Sequence, residues 1–317
     1  MNDIHHDHGH EPEHDQDDHV HEHGPLSELV TVRDWLRYAV SEFNRNKLFF
    51  GHGCSDAFDE AVWLVLHTLS LPLDRLEPFM DACVLGEERE ALMHIIERRV
   101  KERIPAAYLT QEAWLGDYRF YVDERVIVPR SFFAELLEDG FAPWVQDPAQ
   151  VQDALDLCTG SACLAILMAE TFPDARVAAV DLSADALEVA HRNVAEYGLQ
   201  ERVELFQGDL FEPLGTRRFD LIITNPPYVT AQAMAALPPE YRHEPGLALG
   251  AGEDGLDVVR GILAGARQHL TEQGVLAVEI GHNRDIVEAA FPDLPFTWLS
   301  AEGGECVVFV LNACDLP

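Results

Sequence analysis

The sequence predicts an α/β protein with a mostly parallel, doubly wound sheet that follows a smaller helical domain. Two observations support this prediction. From residue 153 onward, short β-branched runs alternate with amphipathic stretches of helical length, which is the pattern of repeated βα units. Before residue 104, apolar residues recur every three to four positions. The 317 residues exceed what one core usually needs, so two domains are expected.

Residues 1–25 are expected to form a disordered tail. They contain eight histidines and eight acidic residues but no lysine or arginine, and such a segment cannot bury a core. The histidines allow loose binding of a divalent metal, but their spacing specifies no coordination geometry. A solvated tail is therefore the favoured interpretation, and no metal site is assigned elsewhere.

Residues 26–104 are predicted to form the helical domain, and residues 105–130 a β-hairpin linker. One helix starts near Leu29, a second follows a cap at Ser55 or Asp56, and a third contains Leu92. In the linker, strand-like runs at 118–122 and 126–128 are separated by polar turn residues.

Residues 131–317 are predicted to form the α/β domain. Strands are expected at 154–158, 177–181, 203–207, 221–224, 275–280 and 306–311, with helices between most of them. In a parallel sheet of this kind, ligands bind at the carboxyl ends of the strands.

Acidic residues end three successive predicted strands. The first strand contains Asp156, the second ends in Asp181, and Asp209 lies at the end of the third. The first strand runs into a turn of small residues, which are Cys158, Thr159, Gly160, Ser161 and Ala162. Carboxylates at these places can accept hydrogen bonds from ribose hydroxyls and an adenine amine, although Asp181 could instead cap a helix. Because there is no phosphate-binding loop, an adenosine without phosphate is expected, which favours S-adenosylmethionine over NAD.

The sequence Asn225-Pro226-Pro227-Tyr228 follows the strand predicted at 219–224. The two prolines stiffen the turn. The Asn225 side-chain carbonyl and the Pro226 backbone carbonyl can then accept hydrogen bonds from one NH₂ group, while Tyr228 forms a flat wall beside it. Such acceptors orient a weakly nucleophilic nitrogen toward a methyl donor. The sequence therefore predicts catalytic roles for Asn225, Pro226 and Tyr228, substrate contacts that include Pro227, and cofactor contact by Asn225; a rigid loop without chemistry is the alternative.

This motif resembles that of the amino-methyltransferases that act on planar NH₂ groups. Over residues 26–312, including 103–109 and 126–130, the chain is similar to the HemK-like glutamine methyltransferases. The resemblance implies a class I S-adenosylmethionine-dependent methyltransferase with a Rossmann-like seven-stranded sheet. It also implies that the small helical domain recognises the substrate.

Within this family, residues 35–37, 50–53, 128–136 and 241–245 resemble the branch that methylates a ribosomal protein. The implied substrate is a glutamine of the third large-subunit ribosomal protein, before or during ribosome assembly. The alternatives are a release-factor glutamine methyltransferase, a DNA adenine amino-methyltransferase and a ribosome-assembly binding module without enzymatic activity.

The chain departs from the family at two places. Ala162 occupies a position where the family normally carries glycine, so a narrower cofactor site with weaker binding is expected. The stretch 303–306 also departs from the family. Arg130 is a substrate-binding candidate, and for both Arg130 and 241–245 substrate contact and domain docking are equally plausible.

The net charge of −34, from 22 basic and 56 acidic residues, opposes binding to nucleic acid and suits a basic partner. Adaptation to a salty cytoplasm better explains its magnitude, and both explanations can hold. No apolar run reaches 18 residues, which predicts no membrane span. Six cysteines without a CxxC pair favour a reducing cytoplasm.

Overall fold

The computed structural model describes residues 25–300 and 306–317. The predicted disordered tail lies outside the described residues except for Pro25. The stretch 303–306 lies outside them except for the backbone of its last residue.

The N-terminal part is helical. Its helices are α1 Pro25–Glu28, α2 Val32–Arg45, α3 Ala57–Thr68, α4 Gly86–Lys101 and α5 Ala106–Thr110. Of the two caps considered for α3, Asp56 is the one used, because its carboxylate accepts from the backbone N–H groups of Phe58 and Asp59. Trp35, Phe43 and Leu92 are fully buried in the core that these helices share.

A β-hairpin follows, with strands β1 Glu112–Leu115 and β2 Tyr118–Tyr121 paired antiparallel. The strand predicted at 126–128 was wrong, because these residues join no ladder. Val126 and Val128 are buried, and side chains supply part of their backbone hydrogen bonding. The Val126 carbonyl accepts from the Tyr108 hydroxyl at 2.5 Å, and the Val128 N–H donates to Glu244 at 3.0 Å. An apolar run can thus be buried without a strand partner.

The α/β domain confirms the predicted fold class. Its strands are β3 Asp153–Leu157, β4 Arg176–Asp181, β5 Val203–Gln207, β6 Phe219–Thr224, β7 Leu270–Glu279, β8 Thr297–Ser300 and β9 Cys306–Asn312. Its helices are α6 Phe133–Glu138, α7 Cys163–Thr171, α8 Ala184–Glu196, α9 Ala231–Ala236, α10 Asp257–His269 and α11 Arg284–Ala290.

The seven strands form one sheet in the order β5-β4-β3-β6-β7-β9-β8. The first five in this order are parallel, whereas β9 is antiparallel to both β7 and β8. The chain winds outward in both directions from β3 and β6, so the carboxyl ends of these two strands flank the topological switch point. No helix among the described residues is long and apolar enough to cross a membrane.

Candidate active site

A cavity lies at the carboxyl ends of β3, β4, β5 and β6. Six residues predicted from the sequence contribute to its wall, namely Cys158, Gly160, Asp181, Asp209, Asn225 and Pro227. Apolar side chains complete part of the wall, among them Leu182, Leu210, Leu247 and Val258. Carboxylates and apolar surfaces therefore meet in one cavity that ends at Asn225.

The other predicted residues do not contribute to the wall of this cavity. They are Asp156, Thr159, Ser161, Ala162, Pro226, Tyr228 and Arg130. Most of them support the cavity from behind.

The loop between β3 and α7 turns sharply at alternate residues. Cys158, Gly160 and Ala162 have φ values of 59°, 55° and 63°, in the left-handed region that favours glycine. Two of these three residues carry side chains, so the chain adopts the backbone of a glycine-rich loop with a single glycine. This explains why the sequence signal of the loop was weak.

Asp156 lies beneath this loop, with 1% of its surface exposed. Its Oδ2 accepts from the Thr159 hydroxyl at 2.5 Å and from the Ala165 N–H at 3.1 Å. Burial raises the pKa of the carboxyl to about 7, against the lowering effect of these two donors. Asp156 therefore supports the loop through Oδ2 from a position one residue before the end of β3, and its expected contact with a cofactor stays a prediction.

Asp181 forms the next part of the wall, where it lines the cavity and ties the loop to β4. Its two carboxylate oxygens accept from the backbone N–H groups of Gly160 at 2.8 Å and Ser183 at 2.9 Å. Burial raises the pKa of Asp181, and these donors counteract that effect. The carboxylate is consequently held in one orientation, with lone pairs left for a ligand in the cavity.

Asn193 supports the loop from α8, and the sequence analysis missed it. It is fully buried, its Nδ2 donates to the carbonyls of Ser161 at 2.9 Å and Tyr121 at 3.0 Å, and its Oδ1 accepts from the Tyr121 N–H at 2.8 Å. The available signal was a polar side chain on the otherwise apolar face of α8.

Asn225 follows β6, and its amide is oriented by the backbone. Its Nδ2 donates to the Arg130 carbonyl at 3.2 Å. Among the described residues, none donates to its Oδ1 or to the Pro226 carbonyl. An amide that donates through nitrogen presents its oxygen elsewhere, so Asn225 offers a free acceptor at the cavity.

Tyr228 packs behind this turn against the segment that follows β7. A Cβ at Gly281 would lie 2.7 Å from the Tyr228 Cε2 atom, so only glycine leaves room for the ring. Asn283 Nδ2 donates to the Tyr228 carbonyl at 2.6 Å. Burial, with a contribution from Glu279, raises the pKa of the phenol to about 12, so the hydroxyl is protonated at neutral pH.

The Arg130 guanidinium is occupied by Glu244, which favours docking over substrate contact for this side chain. It makes two hydrogen bonds to the Glu244 carboxylate, at 2.6 and 2.7 Å. Burial alone would raise the pKa of Glu244, but the bonds from Arg130, helped by His52, lower it to about 2. The Tyr241 ring packs on that of His52, with centroids 4.5 Å apart. Residues 241–245 therefore dock the catalytic domain onto the helical domain.

Ala162 does not narrow the cavity, contrary to the expectation. Its side chain is fully buried in the apolar core that α7 forms on the sheet. The departure from glycine affects the backbone instead, because Ala162 keeps a left-handed conformation.

The chain is similar to several known proteins. The methyltransferase small domain family matches residues 141–237. The ribosomal protein uL3 glutamine methyltransferase of Neisseria gonorrhoeae is 61% identical to the chain over 286 residues, covering 90% of this chain and 95% of that protein. The protein of the same name from Bordetella pertussis is 60% identical over 284 residues, covering 89% and 95%. A methyltransferase structure from Pyrococcus furiosus has a TM-score of 0.45 at 17% identity and covers 61% of this chain and 88% of that one.

Proposed function

Since this chain belongs to the ribosomal protein uL3 glutamine methyltransferase family, we propose that it transfers a methyl group from S-adenosylmethionine to the side-chain amide nitrogen of a glutamine in ribosomal protein uL3. The observation that carries this proposal is the orientation of Asn225. Its Nδ2 is engaged by the Arg130 carbonyl, which leaves Oδ1 free to accept from a substrate NH₂ group.

The residues of the turn promote the reaction by orienting the target amide nitrogen toward the methyl donor. An amide nitrogen is a poor nucleophile because its lone pair is delocalised into the carbonyl. Asn225 Oδ1 and the Pro226 carbonyl would each accept one hydrogen of the target NH₂ and favour a pyramidal nitrogen. Tyr228 remains neutral and supports the turn from behind. No strong base is needed, because the nitrogen releases its proton only after methylation. Acceptors fixed in advance contribute most in the transition state.

The cavity suits an adenosine cofactor without phosphates. When bound, S-adenosylmethionine supplies an electrophilic methyl group on a positively charged sulfur. Asp181 and Asp209 would accept hydrogen bonds from the ribose and the adenine, and the apolar residues Leu182 and Leu210 would contact the base. A phosphorylated cofactor fits less well, because the two carboxylates would repel it.

The substrate is tested by labelling. The purified chain is incubated with S-adenosylmethionine carrying a labelled methyl group and either free uL3 or a release factor, and the labelled residue is mapped. We expect label on a glutamine of uL3, and none with the Asn225→Ala variant on the same timescale. Preferential labelling of the release factor would assign the chain to the other branch, and labelling of DNA adenine would reject both.

The cofactor is tested by calorimetric titration. Asp181→Ala removes a charged acceptor worth about 1.5–3 kcal/mol, so S-adenosylmethionine should bind at least about tenfold more weakly. Asp185→Ala, at an exposed site in the first turn of α8, is the matched control and should bind like the wild type. Equal affinities in all three proteins would reject the assignment of Asp181.

The timing and place of the reaction extend the proposal. A chain with a net charge of −34 attracts a basic substrate that has not yet been neutralised by RNA. We therefore infer that uL3 is modified in the cytoplasm, before or during assembly. The same charge disfavours the DNA alternative.

A further inference from the structure

Glu279 ends β7 beside the acceptor turn. The parallel register of β6 and β7 pairs Thr224 with Val278, so Asn225 and Glu279 follow together at the same edge of the sheet. Only 3% of the Glu279 surface is exposed. A buried carboxylate is costly unless its oxygens are hydrogen-bonded, which makes its partners informative.

The partners of Glu279 belong to the segment that orients Asn225. Its Oε2 accepts from the Ser131 hydroxyl at 2.6 Å and from the Phe132 N–H at 3.2 Å. These two residues directly follow Arg130, whose carbonyl accepts from Asn225 Nδ2. Because both bonds converge on one oxygen of a buried side chain, Glu279 restrains the Arg130 carbonyl from its C-terminal side.

Glu244 fixes the same carbonyl from its N-terminal side. Its Oε1 accepts from the Val128 N–H at 3.0 Å, and its carboxylate binds the Arg130 guanidinium. The segment 128–132 is therefore held at both ends by buried carboxylates. If the segment 128–132 moved and the Arg130 carbonyl turned away, the Asn225 amide would lose its acceptor and could rotate.

We propose that Glu279 is a positioning residue for methyl transfer, which holds segment 130–132 so that the Arg130 carbonyl keeps Asn225 Oδ1 directed at the target amide. If the asparagine amide rotated by 180°, its NH₂ group would occupy the position of its Oδ1 oxygen. That group would repel the NH₂ of the glutamine, so the orientation of Asn225 decides whether the site works. This inference rests on the proposed glutamine methyltransferase function.

The experiment compares three variants in single-turnover methylation of uL3. Glu279→Leu removes both acceptor oxygens at similar volume, and we expect a ten- to hundredfold slower rate. The Kd for S-adenosylmethionine and the KM for uL3 should stay within threefold of the wild type. Glu279→Gln keeps one acceptor oxygen, and its methylation rate should be within fivefold of the wild-type rate. Ser131→Ala removes one bond from the segment and should give a several-fold loss.

A double-variant cycle separates positioning from a general effect on stability. If Glu279 acts through Asn225, then Glu279→Leu should slow the Asn225→Ala protein by less than twofold. Glu288→Gln, at a partly exposed glutamate on α11 that pairs with Arg284, is the matched control and should behave like the wild type. Circular dichroism and melting temperature identify a variant that is not folded, and Ser131→Ala then tests the segment alone.

The outcomes are distinct. Losses that multiply in the double variant, or a wild-type rate in both Glu279→Leu and Ser131→Ala, would overturn the positioning role. A wild-type protein that fails to methylate uL3 would instead reject the proposed function.

Discussion

Asp156, beneath the loop between β3 and α7, has a buried carboxyl whose pKa is raised to about 7 from the usual value of 3.8. A group whose pKa is raised on folding stabilises the fold most when it is protonated. This contribution is complete below about pH 4 and is lost as the pH rises through about 7.

Asp156→Asn should therefore change how stability depends on pH. Between pH 5.5 and 7, the wild type should lose up to about 1.4 kcal/mol of unfolding free energy per pH unit relative to the variant. Above about pH 7.5 the difference should become constant. Urea denaturation without cofactor measures it, above the pI of about 4.6 so that the protein keeps its charge. Parallel curves for the two proteins would show that Asp156 does not titrate in this range.

A substitution at Ala162 tests whether its left-handed backbone conformation is strained. Ala162→Gly relieves a left-handed conformation worth roughly 1–2 kcal/mol. It also removes a buried methyl group, which costs about 0.8 kcal/mol of stability. The added conformational entropy of the unfolded chain costs about 0.4–1 kcal/mol more. We expect these effects to cancel, so that stability stays within about 0.5 kcal/mol of the wild type.

The matched control for Ala162 is Ala165→Gly, at an equally buried site inside α7. There no strain is relieved, and a loss of about 2 kcal/mol is expected from helix propensity and the lost methyl group. Similar losses at both sites would reject the strain argument. Cofactor affinity should be unchanged in Ala162→Gly, because the methyl group lies in the core.

Single residues of the site were predictable where they end strands. Asp181, Asp209 and Asn225 lie on one cavity because the carboxyl ends of parallel strands meet at one edge of the sheet. The roles of Asn193 and of the Arg130 carbonyl were not predictable. Each depends on a contact between residues far apart in the chain, and no local pattern encodes such a pairing.

At the scale of elements, a buried charge network joins the helical domain to the loop after α9. Arg99 on α4 is fully buried and binds Glu60 on α3 at 2.6 Å. Glu240 from the catalytic domain, also fully buried, lies 3.4 Å from Arg99 and 3.3 Å from Arg103, and its Oε1 accepts from the Phe49 N–H at 3.1 Å. Two cations and two carboxylates thus meet at the boundary between the domains.

Glu240→Gln should weaken this boundary, because Arg99 and Arg103 lose their shared negative charge. Arg99 stays buried with Glu60 as its remaining partner, and the Arg103 side chain is 28% exposed. Removing one partner of a buried pair costs about 3–5 kcal/mol, and the retained amide oxygen should keep the loss near the lower end. The measurement is chemical denaturation. Glu97→Gln, which breaks an exposed pair with Lys101 on α4, is the control and should cost less than about 1 kcal/mol. Equal small losses would mean that the network adds no stability.

Elements with a clear period were predicted well, and elements defined by their neighbours were not. The strand at 203–207 was predicted with its observed bounds, because its apolar run is bounded by turn residues. The edge strand β8 was missed, since two of its four residues are exposed, the other two are only partly buried, and the sequence shows no apolar alternation there. The run at 126–128 is rich in β-branched residues, as strands are, but its backbone forms hydrogen bonds with Tyr108 and Glu244. Only the tertiary structure reveals these contacts.

For the whole molecule, the acid surplus is the largest electrostatic feature, and the described ion pairs neutralise only part of it. Arg130 and Arg99 are already held by buried glutamates, so these cations do not offset the acidic surface. Self-repulsion among the remaining carboxylates opposes the compact state. The fold should therefore depend on the salt around it.

The melting temperature should rise as potassium chloride increases from low to molar concentration. The Debye length falls from about 10 Å at 0.1 M to about 3 Å at 1 M, so repulsion between neighbouring carboxylates is screened progressively. Exposed ion pairs weaken as well, but they contribute about 0–1 kcal/mol each, and 56 acids against 22 bases leave repulsion dominant. Sodium chloride at equal ionic strength should give the same curve if screening is the cause. Sulfate should stabilise further, because it is also excluded from the protein surface. A melting temperature that stays flat or falls in potassium chloride would mean that the acidic surface does not limit the stability of this fold.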